Sequence, residues 1–299
     1  MPIEIRKALS ADLDDTTRFI ERLQANESHN ICYLPLQKDE IQFYLHEEGP
    51  CWPNNVLLAY KGKKLIGFIR IITDAELGRA WIEGPLVDNA DWHSIADKLY
   101  TIAIENLLSD GINDYELCGD VANQRLSSFA LHQGFSQNPY RTIHISYKRN
   151  KLINLPVTLN VSELTPKFQK AFIKLHDTIF PNTYYSGKQI VKMLNDKKKV
   201  FIVDENEFLR GYIYIILDES TNKGYIDFLG VAKSARRQGI GTRLVIAGIQ
   251  WLYANFDINK ITLCVNEKDI GVYDLYKKIG FEPLRWIQGY QKRLNSNEK

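Results

Sequence analysis

The sequence repeats itself at an interval of 144 residues, and this feature restricts the fold more than any other. Val56 to Ile71 and Val200 to Ile215 share one pattern: an apolar run, a polar turn, a glycine and a second apolar run. The same interval, or one longer by two residues, aligns three further pairs: WIEGPLV from 81 with YIDFLGV from 225, Cys118 with Cys264, and HQGF from 132 with KIGF from 278. Several matches in one order indicate two copies of one domain.

A polar segment that contains Pro156, residues 146–160, separates the two copies. It predicts a domain of residues 1–150 and a second of residues 151–299. Each copy reads as a strand, two helices, three or four strands, a helix, a strand, a helix and a strand. The expected fold class is therefore α/β (α+β) in two tandem domains.

Composition and charge exclude several classes of protein. A formal net charge of +2 supplies no field for nucleic acid or a membrane surface. The first residues, MPIEIRKALS, contain no apolar core of a secretory signal, and no apolar run approaches the ~18 residues that span a bilayer. Four widely spaced cysteines and six isolated histidines predict neither a disulfide framework nor a metal site. We expect a soluble, cytoplasmic, metal-free protein without a nucleic-acid or membrane partner.

The segment from Ile226 to Leu244, IDFLGVAKSARRQGIGTRL, predicts a strand, a glycine loop and the start of a helix near Thr242. The first amide groups of a helix have no partner inside the helix, and the helix dipole adds positive potential there. Gly239 and Gly241 let the backbone approach an anion closely, and the neighbouring arginines are suited to phosphate. The stretch predicts a phosphate site; a simple strand–helix turn is the alternative.

The loop fits neither common nucleotide motif, because the third glycine of the dinucleotide fingerprint and the Gly-Lys-Ser/Thr of the P-loop are both missing. Arg236-x-x-Gly239-x-Gly241 instead resembles the [QR]-x-x-G-x-[GA] element of the GNAT N-acetyltransferase family. The resemblance implies a mixed, mostly antiparallel sheet flanked by helices in each domain, and acetyl-CoA as co-substrate. The implied acetyl-CoA contacts are Leu229, Gly230, Val231, Arg236, Arg237, Gln238, Gly239, Ile240, Gly241, Thr242, Asp269 and Tyr276.

A second motif, Leu275-Tyr276-x-x-x-Gly280-Phe281, resembles the L-Y-x-x-x-G-F of the same family. The resemblance implies that Tyr276 is the general acid that protonates the departing thiolate, since a phenol can give a proton to a positioned sulfur. The sequence departs from the family at Asp269 and Val272, where asparagine and alanine are common.

Asp227 is the carboxylate on the strand that the resemblance places beside the thioester, and is the candidate base. A structural carboxylate with a water relay is the alternative. The acceptor is expected against Tyr184, Tyr185 and Tyr225, although the first two could simply cap a helix pair.

The first copy lacks both motifs. Its loop, residues 87–95, contains no glycine or arginine but has Asp88 and Asp91, which would repel phosphate. Ala130 occupies the position of Tyr276. We expect a degenerate GNAT-like domain that supports the catalytic second domain.

The prediction is an acetyl-CoA-dependent N-acyltransferase, a monomer or homodimer, that modifies a primary amine of a small molecule or peptide. A non-catalytic acyl-CoA sensor or scaffold is the alternative; it would not need Tyr276. An aminoacyl-tRNA-dependent transferase is a third interpretation, which the near-neutral net charge does not favour.

Overall fold

A computed structural model of the chain describes residues 2–47, 51–107, 111–154, 160–181, 183–219 and 221–293. The chain divides into two compact units. The first runs to Thr142 and also includes the segment from Trp286 onward, whereas the second spans Ile143–Arg285. The predicted linker is only partly described, because Pro156 and the neighbouring residues 155–159 lie outside these ranges.

The elements of the first half are β1 (Ile3–Lys7), α1 (Leu13–Gln24), α2 (Lys38–Glu47), β2 (Val56–Lys61), β3 (Lys64–Asp74), β4 (Arg79–Val87), α3 (Trp92–Leu107), β5 (Asp114–Asp120), α4 (Gln124–His132) and β6 (Ser136–Gln137). Those of the second half are β7 (Thr142–Lys148), β8 (Ser162–Glu163), α5 (Gln169–Ile179), α6 (Gly187–Met193), β9 (Lys198–Glu205), β10 (Phe208–Asp218), β11 (Lys223–Val231), α7 (Ile240–Asn255), β12 (Lys260–Asn266), α8 (Ile270–Ile279) and β13 (Glu282–Arg293). The bounds of β10 and β11 follow those of β3 and β4 by 144 residues, so the structure confirms the repeat.

The sheets of the two units have the same strand order. In the first unit the order is β1-β2-β3-β4-β5-β13, with β6 beside β13, and in the second it is β7-β12-β11-β10-β9-β8. Neighbours from β1 to β4 and from β8 to β11 pair antiparallel, whereas β4 with β5 and β11 with β12 pair parallel. The expected mixed, mostly antiparallel fold in two tandem domains is confirmed.

The C-terminal strand completes the sheet of the first unit. Residues Ile287 to Arg293 of β13 pair with β5, and Tyr290 is 5% exposed in the core of the first unit. The strand beside β12 in the second unit is β7, which precedes the predicted boundary at 150. The compact units therefore divide the chain differently from the predicted 1–150 and 151–299, because each unit takes an edge strand from across that boundary.

Alternate residues of β10 point to opposite faces of the second sheet. Helices cover both of these faces. A Cβ on Gly248 of α7 would lie 3.2 Å from Ile215 and 3.3 Å from Ile213, which places α7 against one face. Tyr212 and Tyr214 point the other way and join Phe172 of α5 in a separate core. This second face also holds the candidate acceptor residues described below.

Cys32 and Cys118 form a disulfide in the first unit, which the wide cysteine spacing did not predict. Their backbones meet because Ile31 bridges Gly119 and the amide of Cys32 donates to the carbonyl of Cys118 at 3.0 Å. Cys51 and Cys264 are free. In the described part of the chain, no group of three or more His, Cys, Asp or Glu side chains is placed to hold a metal ion. None of the described helices is long and apolar enough to cross a membrane.

Candidate active site

The parallel strands β11 and β12 pair only at their first residues. Gly224 is in register with Ile261 and Tyr225 with Thr262, and the register between the two described strands ends there. On its other side, β11 stays paired with β10 as far as Val231. Backbone groups of a strand alternate between its two neighbours, so those of 226–231 that face away from β10 have no partner in β12. The predicted acyl-CoA contacts Leu229, Gly230 and Val231 lie on this open stretch.

Asp227 is the extra residue of a β-bulge. Phe228 pairs with Tyr214 and Ile226 with Ile215, which leaves Asp227 without an opposite residue in β10. A bulge re-aims the side chain of its extra residue and bends the strand. The irregularity therefore explains how Asp227 can reach the face of the sheet that carries Tyr214, where a regular alternation would point neighbouring side chains apart.

The carboxylate of Asp227 has one hydrogen-bonded oxygen and one without a partner. The hydroxyl of Tyr184 donates to Oδ1, whereas Oδ2 is buried and accepts no hydrogen bond from any described residue. Burial raises the pKa of Asp227 from 3.8 to about 6, although the bond from Tyr184 and the charge of Lys198 oppose the shift. A carboxylate with this pKa can accept a proton near neutral pH.

The tyrosine that binds this carboxylate packs against other aromatic side chains. The ring of Tyr184 lies 4.9 Å from that of Tyr185 and 5.3 Å from that of Phe228, measured between centroids. Tyr214 is fully buried, and its hydroxyl has no hydrogen-bond partner among the residues that the structure describes. Burial raises the pKa values of Tyr184 and Tyr214, so both phenols stay protonated and neutral.

A buried histidine holds the segment that carries these tyrosines. Nε2 of His176 lies 2.8 Å from the carbonyl of Tyr185 and Nδ1 lies 2.6 Å from the hydroxyl of Tyr212. A carbonyl only accepts, so Nε2 carries the proton and Nδ1 accepts from Tyr212. Burial lowers the pKa of His176, which favours this neutral form.

Tyr225 and Cys264 meet where the two strands part. The Tyr225 hydroxyl donates to Sγ of Cys264 across 3.6 Å, and Cys264 is exposed. Desolvation by surrounding atoms raises the pKa of the Cys264 thiol, so the thiol is the favoured form. Asp227 and Tyr184 interact electrostatically with Tyr225, and Tyr185 packs against Tyr184. The structure thus brings the three predicted acceptor tyrosines and Asp227 together in one cluster.

The glycine loop has the backbone of an anion site. Arg237 and Gly239 adopt left-handed conformations, with φ of 63° and 74°. Helix α7 begins at Ile240 with no side-chain cap, so its first amides remain available. Alternating left- and right-handed residues before a helix form a concave group of amides that binds anions. The predicted contacts Gln238, Gly239, Ile240, Gly241 and Thr242 lie in this stretch.

Two predicted ligand side chains in the loop instead bond to the loop itself. Nε of Arg236 donates to the carbonyl of Val231 at 3.2 Å, and Nε2 of Gln238 donates to the carbonyl of Ser234 at 3.3 Å. A Cβ on Gly241 would lie 3.0 Å from Leu275, which shows how closely α7 approaches α8. These two side-chain bonds hold the loop in its conformation.

Tyr276 is 3% exposed, and its ring meets Phe281 edge-on at 5.2 Å. Burial raises its pKa, so it is a neutral phenol that can donate a proton. Asp269 directly precedes α8 and makes no side-chain cap. In the described structure no hydrogen bond joins Tyr276 to the Asp227 cluster. Their functional pairing stays a prediction.

Sequence reasoning missed Tyr214, His176 and Cys264. In the sequence, Tyr214 and His176 follow ordinary strand and helix patterns, and only the folded contacts distinguish them. Cys264 had a weak signal, because it follows the matched Cys118 by 146 residues and stands in the strand beside Tyr225.

In the first unit, an ion pair occupies the position equivalent to the start of the glycine loop. Asp88 lies 3.0 Å from Arg22 and 3.3 Å from Lys64. Partial burial would raise the pKa of Asp88, but the two cations hold it below its ordinary value. The first unit thus has a carboxylate with two cations at the position where the second unit has Ala232, the first residue after β11.

The second half of the chain is similar in sequence to known N-acetyltransferases. Residues 165–281 match the model of the acetyltransferase (GNAT) family. Probable N-acetyltransferase san of Drosophila melanogaster is 27% identical over 139 residues, 46% of this chain and 75% of the relative. N-alpha-acetyltransferase 50 of Danio rerio is 29% identical over 138 residues, 46% of this chain and 82% of the relative.

Two solved structures resemble nearly the whole chain. A GCN5-related N-acetyltransferase from Sphaerobacter thermophilus has a TM-score of 0.77 at 12% identity, with coverage of 97% of this chain and 95% of the other. A tandem GNAT protein from the clavulanic acid biosynthesis pathway has a TM-score of 0.66 at 13% identity, with coverage of 99% and 100%. Residues 165–281 therefore belong to the GNAT acetyltransferase family, within a chain that has the fold of tandem GNAT proteins.

Proposed function

We propose that the second unit transfers an acetyl group from acetyl-CoA to a primary amine of a small molecule or peptide. The observation that carries the proposal is the opening between β11 and β12, bounded by the uncapped start of α7 and by the buried carboxylate of Asp227. These features supply an anion site, free strand amides and a proton acceptor along one strand–loop–helix segment.

The residues of the opening fit acetyl-CoA in chemical terms. The amides of 238–242 would hold the pyrophosphate, and the free edge of Leu229 to Val231 would hold the amides of the pantetheine arm. An N–H on this edge would stabilise the negative charge that develops on the thioester oxygen. Acetyl-CoA supplies the activated acyl group.

Proton transfer is assigned to two side chains. The carboxylate of Asp227 takes a proton from the attacking ammonium or from a water that relays it, because its pKa of about 6 leaves it ionised at neutral pH. Tyr276 gives a proton to the departing thiolate as the carbon–sulfur bond breaks. As the amide forms, the nitrogen loses a second proton, which restores the Tyr276 phenol through solvent, and Asp227 releases its proton to water. The products are the amide, the CoA thiol and one proton.

The first unit is proposed to be a degenerate partner that binds no acyl-CoA. It has Asp88 at the loop and Ala130 where the second unit has Tyr276. We therefore expect one acetyl-CoA and one active site per chain.

Thermal unfolding with and without acetyl-CoA tests the proposal. A ligand at ~100 times its dissociation constant stabilises the native state by about 2.7 kcal/mol. Turnover is then measured with a panel of small amines and short peptides with free N-termini; the peptides are included because one relative is named as an N-alpha-acetyltransferase. Absence of a shift with acetyl-, propionyl- and succinyl-CoA would refute the proposal. Binding without turnover on any amine would favour an acyl-CoA sensor.

A further inference from the structure

The bulged carboxylate of the second unit has a counterpart in the first. Glu83 stands 144 residues before Asp227, on β4, and is 1% exposed. The hydroxyl of Tyr44 donates a hydrogen bond to Oε1 of Glu83, as that of Tyr184 does to Asp227. Each unit thus has a carboxylate at the same strand position, held by a tyrosine that precedes it in the chain.

The carboxylate of the first unit has a cation of its own. Nη1 of Arg70 lies 3.3 Å from Oε2 of Glu83, and the guanidinium lies 5.3 Å from the centre of the Tyr44 ring. Arg70 is fully buried. Both the ion pair and the contact with the aromatic face stabilise a cation away from water.

The second unit has the same carboxylate but no such cation among its described residues. The residue 144 positions after Arg70 is Tyr214, whose buried hydroxyl has no partner within the described chain. The second oxygen of Asp227 is likewise buried without a partner. Lys198 affects Asp227 only through its charge. Two unsatisfied polar atoms in one electrostatically coupled cluster are costly unless a ligand completes them.

We propose that Oδ2 of Asp227 and the hydroxyl of Tyr214 bind the ammonium group of the acceptor, and that Arg70 is the first unit's built-in substitute for this ligand. The inference rests on the proposed function and deepens it, because it defines the class of acceptor. Oδ2 accepts from the ammonium, and the Tyr214 oxygen accepts a second N–H. The ligand thereby supplies the positive charge that Arg70 supplies to Glu83.

The surroundings specify the rest of the acceptor. The ring of Tyr184, whose hydroxyl binds the carboxylate, packs against the rings of Tyr185 and Phe228, and this aromatic group favours an apolar carbon frame beside the ammonium. A second carboxylate on the carbon that bears the amine would approach Asp227 and be repelled. The expected class is therefore an alkyl or arylalkyl amine, or a peptide N-terminus, rather than a free amino acid.

Tyr214→Arg tests whether Arg70 takes the place of the acceptor's ammonium group, because the variant gives the second unit an arginine at the equivalent position. We expect the variant to keep the thermal shift with acetyl-CoA and to lose acetylation of phenethylamine by about 100-fold or more. Phe208→Arg is the matched control on the same strand, since Phe208 is 72% exposed, and it should acetylate normally. Wild-type turnover in Tyr214→Arg would overturn the proposal.

A second measurement, on the wild-type chain, decides the question even if Tyr214→Arg does not fold. Phenethylamine and phenylalanine share a carbon frame and differ in the carboxylate. We expect phenethylamine to stabilise the chain without acetyl-CoA, phenylalanine to bind at least about tenfold more weakly, and Asp227→Asn to remove the effect. Equal binding of the two ligands, or binding unchanged in Asp227→Asn, would overturn the inference. Failure of the proposed function is distinct, since it would appear in the wild-type chain as no thermal shift with acetyl-CoA or as no turnover on any amine.

Discussion

The hydroxyl of Tyr184 donates to Oδ1 of Asp227, and this bond opposes burial, which raises the pKa of the carboxylate; the resulting pKa is about 6. The two effects oppose each other, because desolvation disfavours the ionised carboxylate whereas a donated hydrogen bond favours it. The tyrosine thereby helps to keep a buried carboxylate ionised at neutral pH. In the proposed mechanism, the proton-accepting capacity of the site depends on this pair.

The first prediction concerns the pH dependence of kcat/KM. Asp227 must be ionised to accept a proton, so activity should fall as the pH decreases through about 6. Tyr184→Phe removes the bond that favours the ionised form, so the acidic limb should move to higher pH. The exposed Tyr140 provides a matched control, Tyr140→Phe, which should leave the limb in place. An unmoved limb in Tyr184→Phe would show that Asp227 is not the titrating base.

The second prediction separates backbone strain from ligand binding at the glycine loop. Gly239 has a φ of 74°, and a Cβ added there would meet no atom within 4 Å, so Gly239→Val costs strain rather than a clash, about 1–2 kcal/mol. A side chain there should also block the approach of phosphate and weaken acetyl-CoA binding by at least about tenfold. Gly111 has a φ of 86° and equally open surroundings in the first unit. Gly111→Val should lose stability similarly but keep its acetyl-CoA affinity in calorimetry; equal affinities for the two variants would contradict the assignment.

The repeat allowed much of the fold to be predicted, because strands β3, β4, β10 and β11 depend on local apolar patterns that recur at one interval. The exchange of edge strands could not be predicted, since β13 is paired with β5 by contacts between residues more than 160 positions apart. The same holds for the Cys32–Cys118 disulfide, whose cysteines are 86 residues apart. Local patterns do not record such pairings.

Only part of the candidate site could be predicted, because the rest again depends on contacts that form in the folded chain. Asp227, Tyr184 and the glycine loop stand in recognisable motifs or at turns. Tyr214 looks like an ordinary strand tyrosine. Its proposed role depends on the bulge at Asp227 and on Arg70, which stands at the equivalent position of the first unit. The unpartnered state of its hydroxyl in the described chain is a property of packing, which one sequence does not show.

The third prediction concerns the buried ion pair of the first unit. Arg70→Met leaves Glu83 without its cation in a fully buried position, so the free energy of unfolding should fall by about 3–5 kcal/mol. Arg70→Met combined with Glu83→Gln removes both charges and should recover much of that loss. Denaturant unfolding of the single and double variants measures the coupling. Additive losses would mean that the two side chains do not form a pair in solution.

The fourth prediction is a pH dependence of stability from His176. Burial lowers its pKa below the ~6.5 of an unfolded chain, so between these values the unfolded state binds more protons. His176 therefore contributes stability that is present above pH ~6.5 and is lost as the pH falls toward the folded pKa, with a slope of up to about 1.4 kcal/mol per pH unit. The difference between wild type and His176→Gln isolates this contribution from that of the carboxylates. A difference that does not change between pH ~7.5 and ~5 would contradict it.

The fifth prediction follows from the C-terminal strand. Tyr290 of β13 is 5% exposed in the core of the first unit, although it lies far beyond the predicted boundary at residue 150. Tyr290→Ala should remove this packing and destabilise the first unit by about 3–5 kcal/mol, as expected for a buried large aromatic side chain. Hydrogen exchange followed by mass spectrometry should show the greatest loss of protection in β5, because Tyr290 pairs with Leu117 in that strand.

The exposed Leu284 supplies a control for this variant, because it lies on the same strand but is 45% exposed and belongs to the second unit. Leu284→Ala should change protection little in β5. If Tyr290→Ala instead increased exchange only within 143–285, the C-terminal strand would belong to the second unit in solution, as a simple tandem arrangement predicts. Increased exchange in β5 would establish that the first half of the sequence takes a strand from beyond the linker, so that 1–150 alone does not contain all the strands of its sheet.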